Sequence, residues 1–421
     1  MQKKTFNPWR FGGMALAVML TIPALSGSAN AGGTSLVDLL EAKGVLTQGE
    51  AKAAKAEAKA HQSKLKIGGR IQADAAFYKD DPGLDMGDGA EFRRARLFVK
   101  GKVGDFHYKA QYDFAGNGTK IKDLYIKYTG LPVHIKVGNF KEPFSLEELT
   151  SSKYITFMER AMPNTFAPSR HIGAALSGHG DSWSAAAGVF TNGASGTTSG
   201  VDSQFDATGR LTFAPIHEKT RVLHLGAGIN YSLPSSTRTL RFRERPESHV
   251  THKRLVGTGD ILNVDSVLKY DLEAAAVFGP ASIQGEYSRT DVSFQNGIAN
   301  EPSFSGYYIF GSWFLTGESR PYSVKKGSFG RVHPNHNFQL GADGWGAWEV
   351  AARFSQLDLE DTGFPGGKEQ NITVGLNWYP HPHLRWMFNW VHASVDRSPI
   401  TTVARNNFGP DVFQMRAQVD F

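Results

Sequence analysis

Phe413-Gln414-Met415-Arg416-Ala417-Gln418-Val419-Asp420-Phe421 closes the sequence, and apolar residues alternate in it with polar or charged ones. Successive side chains of an extended strand point to opposite faces, so this stretch has one greasy face and one wet face. A strand built this way, ending on an aromatic residue, suits a wall with lipid outside and water inside.

The same period of two recurs upstream. Phe106, Tyr108, Ala110, Tyr112 and Phe114 alternate with His107, Lys109, Gln111 and Asp113. Leu268, Tyr270, Leu272, Ala274, Ala276 and Phe278 repeat the pattern, as do Ile372, Val374, Leu376 and Trp378. Candidate strands fall at 64–79, 91–104, 105–115, 120–130, 132–140, 171–180, 182–191, 204–214, 221–232, 264–278, 281–294, 304–316, 344–359, 369–379, 384–396 and 411–421. That makes about sixteen, an even number, as bacterial barrels require. Lipid offers the backbone no hydrogen bonds, so such a sheet must close on itself. Short turns such as Val103-Gly104-Asp105 and Gly279-Pro280 alternate with long loops, which suits periplasmic turns and extracellular loops. Trp313, Trp378, Trp386 and Trp390 fall near strand ends or on apolar faces, as interfacial girdles would.

The fold expected is therefore all-β: a transmembrane antiparallel barrel over 64–421, with a short N-terminal helical segment and a constriction loop folded inward. Residues 1–31 read as a cleavable signal peptide. Lys3, Lys4 and Arg10 precede the apolar run Met14–Leu25 and the small-residue site Ala29-Asn30-Ala31. Residues 32–63 read as a periplasmic helical or linker segment, rich in Ala, Lys and Glu. That address implies the outer membrane of a Gram-negative-type cell, with outer-membrane lipids as partners.

Composition excludes several classes. There is no cysteine, so no disulfide framework supports the exported chain. The formal charge of +6 falls to about +3 once the three basic residues of the leader are removed, too little to suggest nucleic-acid binding. No HExxH or GxSxG motif occurs, and neither an enzyme nor a cofactor is expected.

Transport chemistry must then come from where the charges sit. Residues 141–170 hold Pro143, Pro163 and Pro168, which do not belong in a central strand, and read as a loop folded into the lumen. If Leu97 and Val99 face lipid, Arg94, Arg96, Lys100 and Lys102 point inward. Arg93 adjoins Arg94, so a regular strand cannot turn both inward, and Arg93 must lie at the strand end or on a bulge. Asp123, Tyr125, Lys127, His134 and Lys136 take lumen positions by the same alternation. Arg238, Arg241, Arg243 and Arg245 form a further basic row, with Lys253 and Arg254 behind it. Arginine binds phosphate through a planar fork of donors, and several modest sites in series conduct better than one tight site.

The chain resembles the phosphate-selective porin O and P family over essentially its whole mature length. The resemblance rests on Phe92-Arg93-Arg94-Ala95, Thr150-Ser151-Ser152-Lys153, Met158-Glu159-Arg160, Leu211–Glu218, Leu315–Arg320, Gly346–Glu349 and Gly375–Tyr379, in that order. It implies sixteen-stranded homotrimers with an infolded third loop and an arginine ladder leading to a narrow anion site. Carried over by position, Arg93, Arg94, Ser152 and Lys153 form that anion-binding constriction. Arg238, Arg241, Arg243 and Arg245 form the ladder, and no metal or catalytic residue is implied. Two departures stand out. Glu148 lies where phosphate-specific members carry a lysine, and Lys122 or Asp123 must serve for the constriction's aspartate. The function expected is passive diffusion of small anions, phosphate or polyphosphate foremost. The alternative is a general porin for polar solutes such as sugars or peptides.

Overall fold

The computed structural model describes residues 40–44, 46–53, 65–81, 84–194, 203–295, 301–341, 344–396 and 409–421. It divides into two units, Met1–Gln62 and Ser63–Phe421. In the first, residues 48–53 are helical, and the turn is capped reciprocally: Thr47 N donates to Glu50 Oε2 at 2.9 Å, and Glu50 N donates to Thr47 Oγ1 at 3.3 Å. The expected signal peptide lies outside the described residues.

The second unit is a closed antiparallel barrel. Its wall begins with β1 (Lys66–Lys79), β2 (Gly89–Val103), β3 (Phe106–Asp113), β4 (Lys120–Tyr128) and β5 (His134–Lys141). It continues through β6 (Arg170–His179), β7 (Trp183–Phe190), β8 (Phe205–His217) and β9 (Arg221–Leu233). Two short strands inside a loop follow, β10 (Arg243–Glu244) and β11 (Val256–Gly257). The wall resumes with β12 (Val264–Phe278), β13 (Ala281–Phe294) and β14 (Ser303–Phe314). A second small pair, β15 (Tyr322–Ser323) and β16 (Ser328–Phe329), precedes β17 (Ala347–Asp361), β18 (Phe364–His381), β19 (Leu384–Asp396) and β20 (Asp411–Asp420). Sixteen of these form the wall, and β20 pairs with β1 to close it.

Closure follows from the side-chain alternation. In β20, Phe413, Met415 and Val419 are outward and exposed, while Gln414, Arg416, Gln418 and Asp420 turn inward and are buried. Among the described residues no helix is long and apolar enough to cross a membrane. The outward band of exposed Leu, Ile, Val and aromatic side chains on the closed wall is the surface suited to lipid. The end of the barrel that carries the C-terminus has most of the tight turns and is periplasmic by that rule.

Two connections depart from the expected asymmetry. The strand expected to begin at 369 begins at Phe364, and only Thr362-Gly363 join it to β17 on the extracellular side. Gly363, at φ 82, makes that tight turn possible without the penalty a side chain would carry. On the periplasmic side, residues 315–346 form a long excursion instead of a turn. Its inner part enters the lumen: Arg210 Nη2 donates to Gly327 O at 2.8 Å, and Tyr322 OH lies 2.6 Å from His224 Nδ1.

Candidate functional site

The loop of residues 142–169 crosses the lumen, held at many points by wall side chains that bond its backbone. It starts in a single helical turn, Leu146–Leu149. The Glu286 carboxylate on β13 accepts from Ser145 Oγ at 2.6 Å, Leu146 N at 3.0 Å and Glu147 N at 2.7 Å. An acceptor there satisfies amides that the helical turn leaves unpaired. On the far wall, Arg385 donates to Ile155 O at 2.7 Å and Thr156 O at 2.8 Å. Asn389 Oδ1 accepts from Met158 N at 2.8 Å, and Gln72 donates to Ser152 O at 3.2 Å. Phe144, Leu146, Phe157, Met158, Met162 and Phe166 are all buried on the underside of this path.

A second loop, residues 234–263, also folds in. Glu247 accepts from Arg353 at 2.5 Å, Ser355 at 2.5 Å and Thr373 at 2.6 Å. Phe242, Leu255, Val256 and Ile261 pack beside Leu357, Leu359 and Val395 of the wall.

Between the first of these loops and the wall lies a central chamber of about 580 Å³. Ten basic side chains line it against two carboxylates, Asp123 and Glu148. Two bulges create that density. Gln72 of β1 pairs with Arg94 and Ala73 with Phe92, so Arg93 is an extra residue and both arginines turn inward. On β4, Ile121 pairs with Tyr112 and Leu124 with Ala110, so Lys122 and Asp123 face Gln111 together. The choice between Lys122 and Asp123 posed by the sequence is thus met by both residues lining the chamber.

Most of the lining cations already hold a partner. Lys109 and Arg170 share Asp123, Arg96 pairs with Asp113 at 2.6 Å, and Lys141 and Arg160 flank Glu148 at 2.8 and 3.3 Å. Burial alone would raise Glu148, but Arg160 and Lys141 hold it down at about 2. Among the described residues, Arg70, Lys122 and Lys136 of the lining have no carboxylate within ion-pair distance. Arg70 donates to Ser152 Oγ at 2.6 Å, and the Lys136 ammonium lies 4.6 Å from the Phe140 ring centre. Arg94 is 4 % exposed and donates to Gln72 Oε1 at 2.9 Å, while its Nε has no partner among the described residues.

Above this chamber lies a smaller one of about 240 Å³, lined by Arg93, Arg160, Arg243, Arg245 and Arg254 with Glu159, Glu244 and Glu247. Arg93 and Arg160 face both chambers. Below, Lys127, His134, His179, Lys325 and Lys326 line a third of about 90 Å³.

The residues expected from sequence divide accordingly. Arg93, Arg94 and Ser152 come together at the central chamber. Lys153 lines none of the three chambers and instead pairs with Asp420 at 2.6 Å. Arg243 and Arg245 line the upper chamber, but Arg238 and Arg241 do not. Leu240 and Phe242 turn into the loop's apolar core, and Arg241 is exposed and paired with Asp260 at 2.6 Å. Arg238 is exposed beside Asp265 at 3.4 Å. Sequence reasoning missed Arg70, although Ile67 and Ile71 outward place it inward by alternation. It also missed the third chamber's Lys325 and Lys326, which no strand period could reveal.

A closed sixteen-strand barrel with lipid-facing apolar residues, infolded loops and polar chambers has the architecture of an outer-membrane porin. The chain belongs to the phosphate-selective porin O and P family, whose model matches residues 65–421. Porin O of Pseudomonas aeruginosa is 29 % identical across 95 % of both chains. Among solved structures, the anion-selective porin of Comamonas acidovorans superposes with a TM-score of 0.55 at 13 % identity, covering 86 % of this chain and all of that one. The trimer form of OmpT from Vibrio cholerae gives 0.54 at 11 % identity, covering 85 % and 99 %. Those two likenesses speak to the fold.

Proposed function

We propose that this porin conducts small anions by passive diffusion, with phosphate-like oxyanions preferred, and that the central chamber is its selective site. The observation that carries the reading is the excess of ten lining cations over two carboxylates, with no carboxylate among the described residues within ion-pair distance of Arg70, Lys122 or Lys136. Unpaired cations in a narrow, low-dielectric bore attract anions and repel cations far more than they would in bulk water. Ser151 and Ser152 add hydroxyl groups at the same chamber, and Arg94 keeps a free donor. The upper arginines then gather anions, and the lower lysines and histidines receive them. The selectivity of the Comamonas porin and the family description support this reading, and the OmpT trimer supports three copies side by side as the assembly.

The test is the reversal potential of the wild-type pore in a planar bilayer between unequal KCl solutions, followed by phosphate block of the chloride current. A reversal potential on the chloride side, with saturable phosphate block, is expected. Replacing Arg70→Gln together with Lys122→Gln should weaken both. A cation preference in the wild type would overturn the proposal.

A further inference from the structure

The long periplasmic excursion has an outer arm as well as the inner one. After Val332, which packs inside the wall with Phe314, Ala347 and Tyr379, the chain turns outward. Phe338 N then donates to Pro380 O at 2.8 Å, at the periplasmic end of β18. The Phe338 ring meets the outward face of Trp378 edge-on, with centres 5.3 Å apart. Trp378 is itself stacked on Trp348 at 5.5 Å. The Nε1 groups of Trp348 and Trp378 both donate to Trp345 O, at 3.2 and 2.9 Å, so this carbonyl ties the arm to the barrel's aromatic rim.

Among exposed polar residues such as Asn335, His336, Asn337 and Gln339, the arm presents three large apolar side chains. Leu340 is 93 % exposed, Trp345 71 % and Phe338 37 %. Large apolar side chains gain free energy when they leave water, so a cluster of them at a tip facing bulk periplasm would be a liability. The cluster is continuous with the lipid-facing band, because Trp313 and Leu315 on the adjoining strand end are exposed at the same rim. Indole rings favour the headgroup layer, where one edge is greasy and the N–H meets polar partners. The arm also projects from the tall wall, where β17 and β18 run to 15 and 18 residues, against 8 to 10 in β3 to β7.

We infer that Phe338, Leu340 and Trp345 form a foot that sits in the headgroup region of the periplasmic leaflet, with phospholipid as its occupant. It extends the barrel's hold on the bilayer beyond the strands themselves.

The lack of cysteine makes the test direct. Leu340→Cys, Leu272→Cys at mid-wall and Lys219→Cys in a periplasmic turn are each labelled with bimane on the full-length protein. They are then reconstituted in phosphatidylethanolamine–phosphatidylglycerol vesicles containing brominated phospholipid. The label at 340 should be quenched by the lipid, approaching the label at 272, while the label at 219 answers only to aqueous iodide. A label at 340 that behaves like 219 would overturn the inference. So would one shielded from both quenchers, since that would place protein over the foot. None of these outcomes depends on the ion the pore prefers.

Discussion

Glu159 accepts two parallel hydrogen bonds from Arg93, Nε to Oε1 and Nη2 to Oε2, each at 2.8 Å. Arg416 of β20 adds a third at 2.7 Å, and Arg94 lies 3.9 Å away. Burial alone would raise the carboxyl, but these guanidinium groups hold it well below the usual carboxylate range. One loop carboxylate therefore holds Arg93 and lies beside Arg94, the arginine pair that sequence alone would assign to the anion.

Replacing Glu159→Gln keeps a side chain that can still accept from Arg93 but removes its charge. The freed arginines should then bind anions. A charge-assisted hydrogen bond contributes about 1.5–3 kcal/mol, so the phosphate concentration that half-blocks chloride current should fall by roughly ten- to a hundredfold. An unchanged block would mean that Glu159 only braces the loop.

Lys153 and Lys122 make a contrast. Lys153 is spent on Asp420, whereas Lys122 faces the central chamber without a carboxylate of its own. Lys122→Ala should shift the reversal potential toward neutrality and weaken phosphate block. Lys153→Ala should leave selectivity near that of the parent and lower stability instead, because Asp420 would keep only Arg331 and His383 nearby. Equal losses of selectivity in both would refute this division.

The constriction loop should be loosened by Glu286→Ala. That change strips the acceptor from Ser145 Oγ and from the amides of Leu146 and Glu147, all at a buried site. Leaving buried donors unsatisfied costs roughly 1–3 kcal/mol each before relaxation. Single-channel traces should become noisy, with larger and variable openings, and the urea midpoint in detergent should fall. Quiet traces of wild-type conductance would show that the loop is held elsewhere.

Much of this was legible in the sequence, for a definite physical reason. A barrel wall obeys a period of two, so Phe413 to Phe421 and Leu268 to Phe278 read directly as lipid on one side and water on the other. Even the Arg93–Arg94 conflict was readable, since two adjacent inward arginines require an extra residue in the strand. What pattern could not supply was the pairing inside the lumen. That Lys153 meets Asp420, or that Asp260 holds Arg241 at the surface, depends on contacts between residues more than a hundred apart or on the path of a loop without period. The inner arm near Lys325 and Lys326 was hidden for the same cause.

Acidity inside the infolded loops should make the pore sensitive to pH near neutrality. Burial pushes Glu147 up to about 7 despite Arg353 at 3.6 Å, and burial likewise pushes Glu244 up to about 7 in the upper chamber. Both values lie above the ordinary 4.5 of a free glutamate, so the folded state prefers the neutral acids. Their contribution to loop stability is complete below about pH 4.5 and is lost as pH rises through about 7. Over the same interval each acid becomes a carboxylate, and Glu244 does so among Arg243, Arg245 and Arg254. Anion preference should therefore decline between about pH 6 and pH 8. Glu148 and Glu159 stay ionised throughout that window, because their basic neighbours hold them low. Reversal potentials measured across the range check this, and Glu244→Gln should flatten most of the decline. A selectivity that rises with pH, or a decline unaffected by Glu244→Gln, would place the titrating group elsewhere.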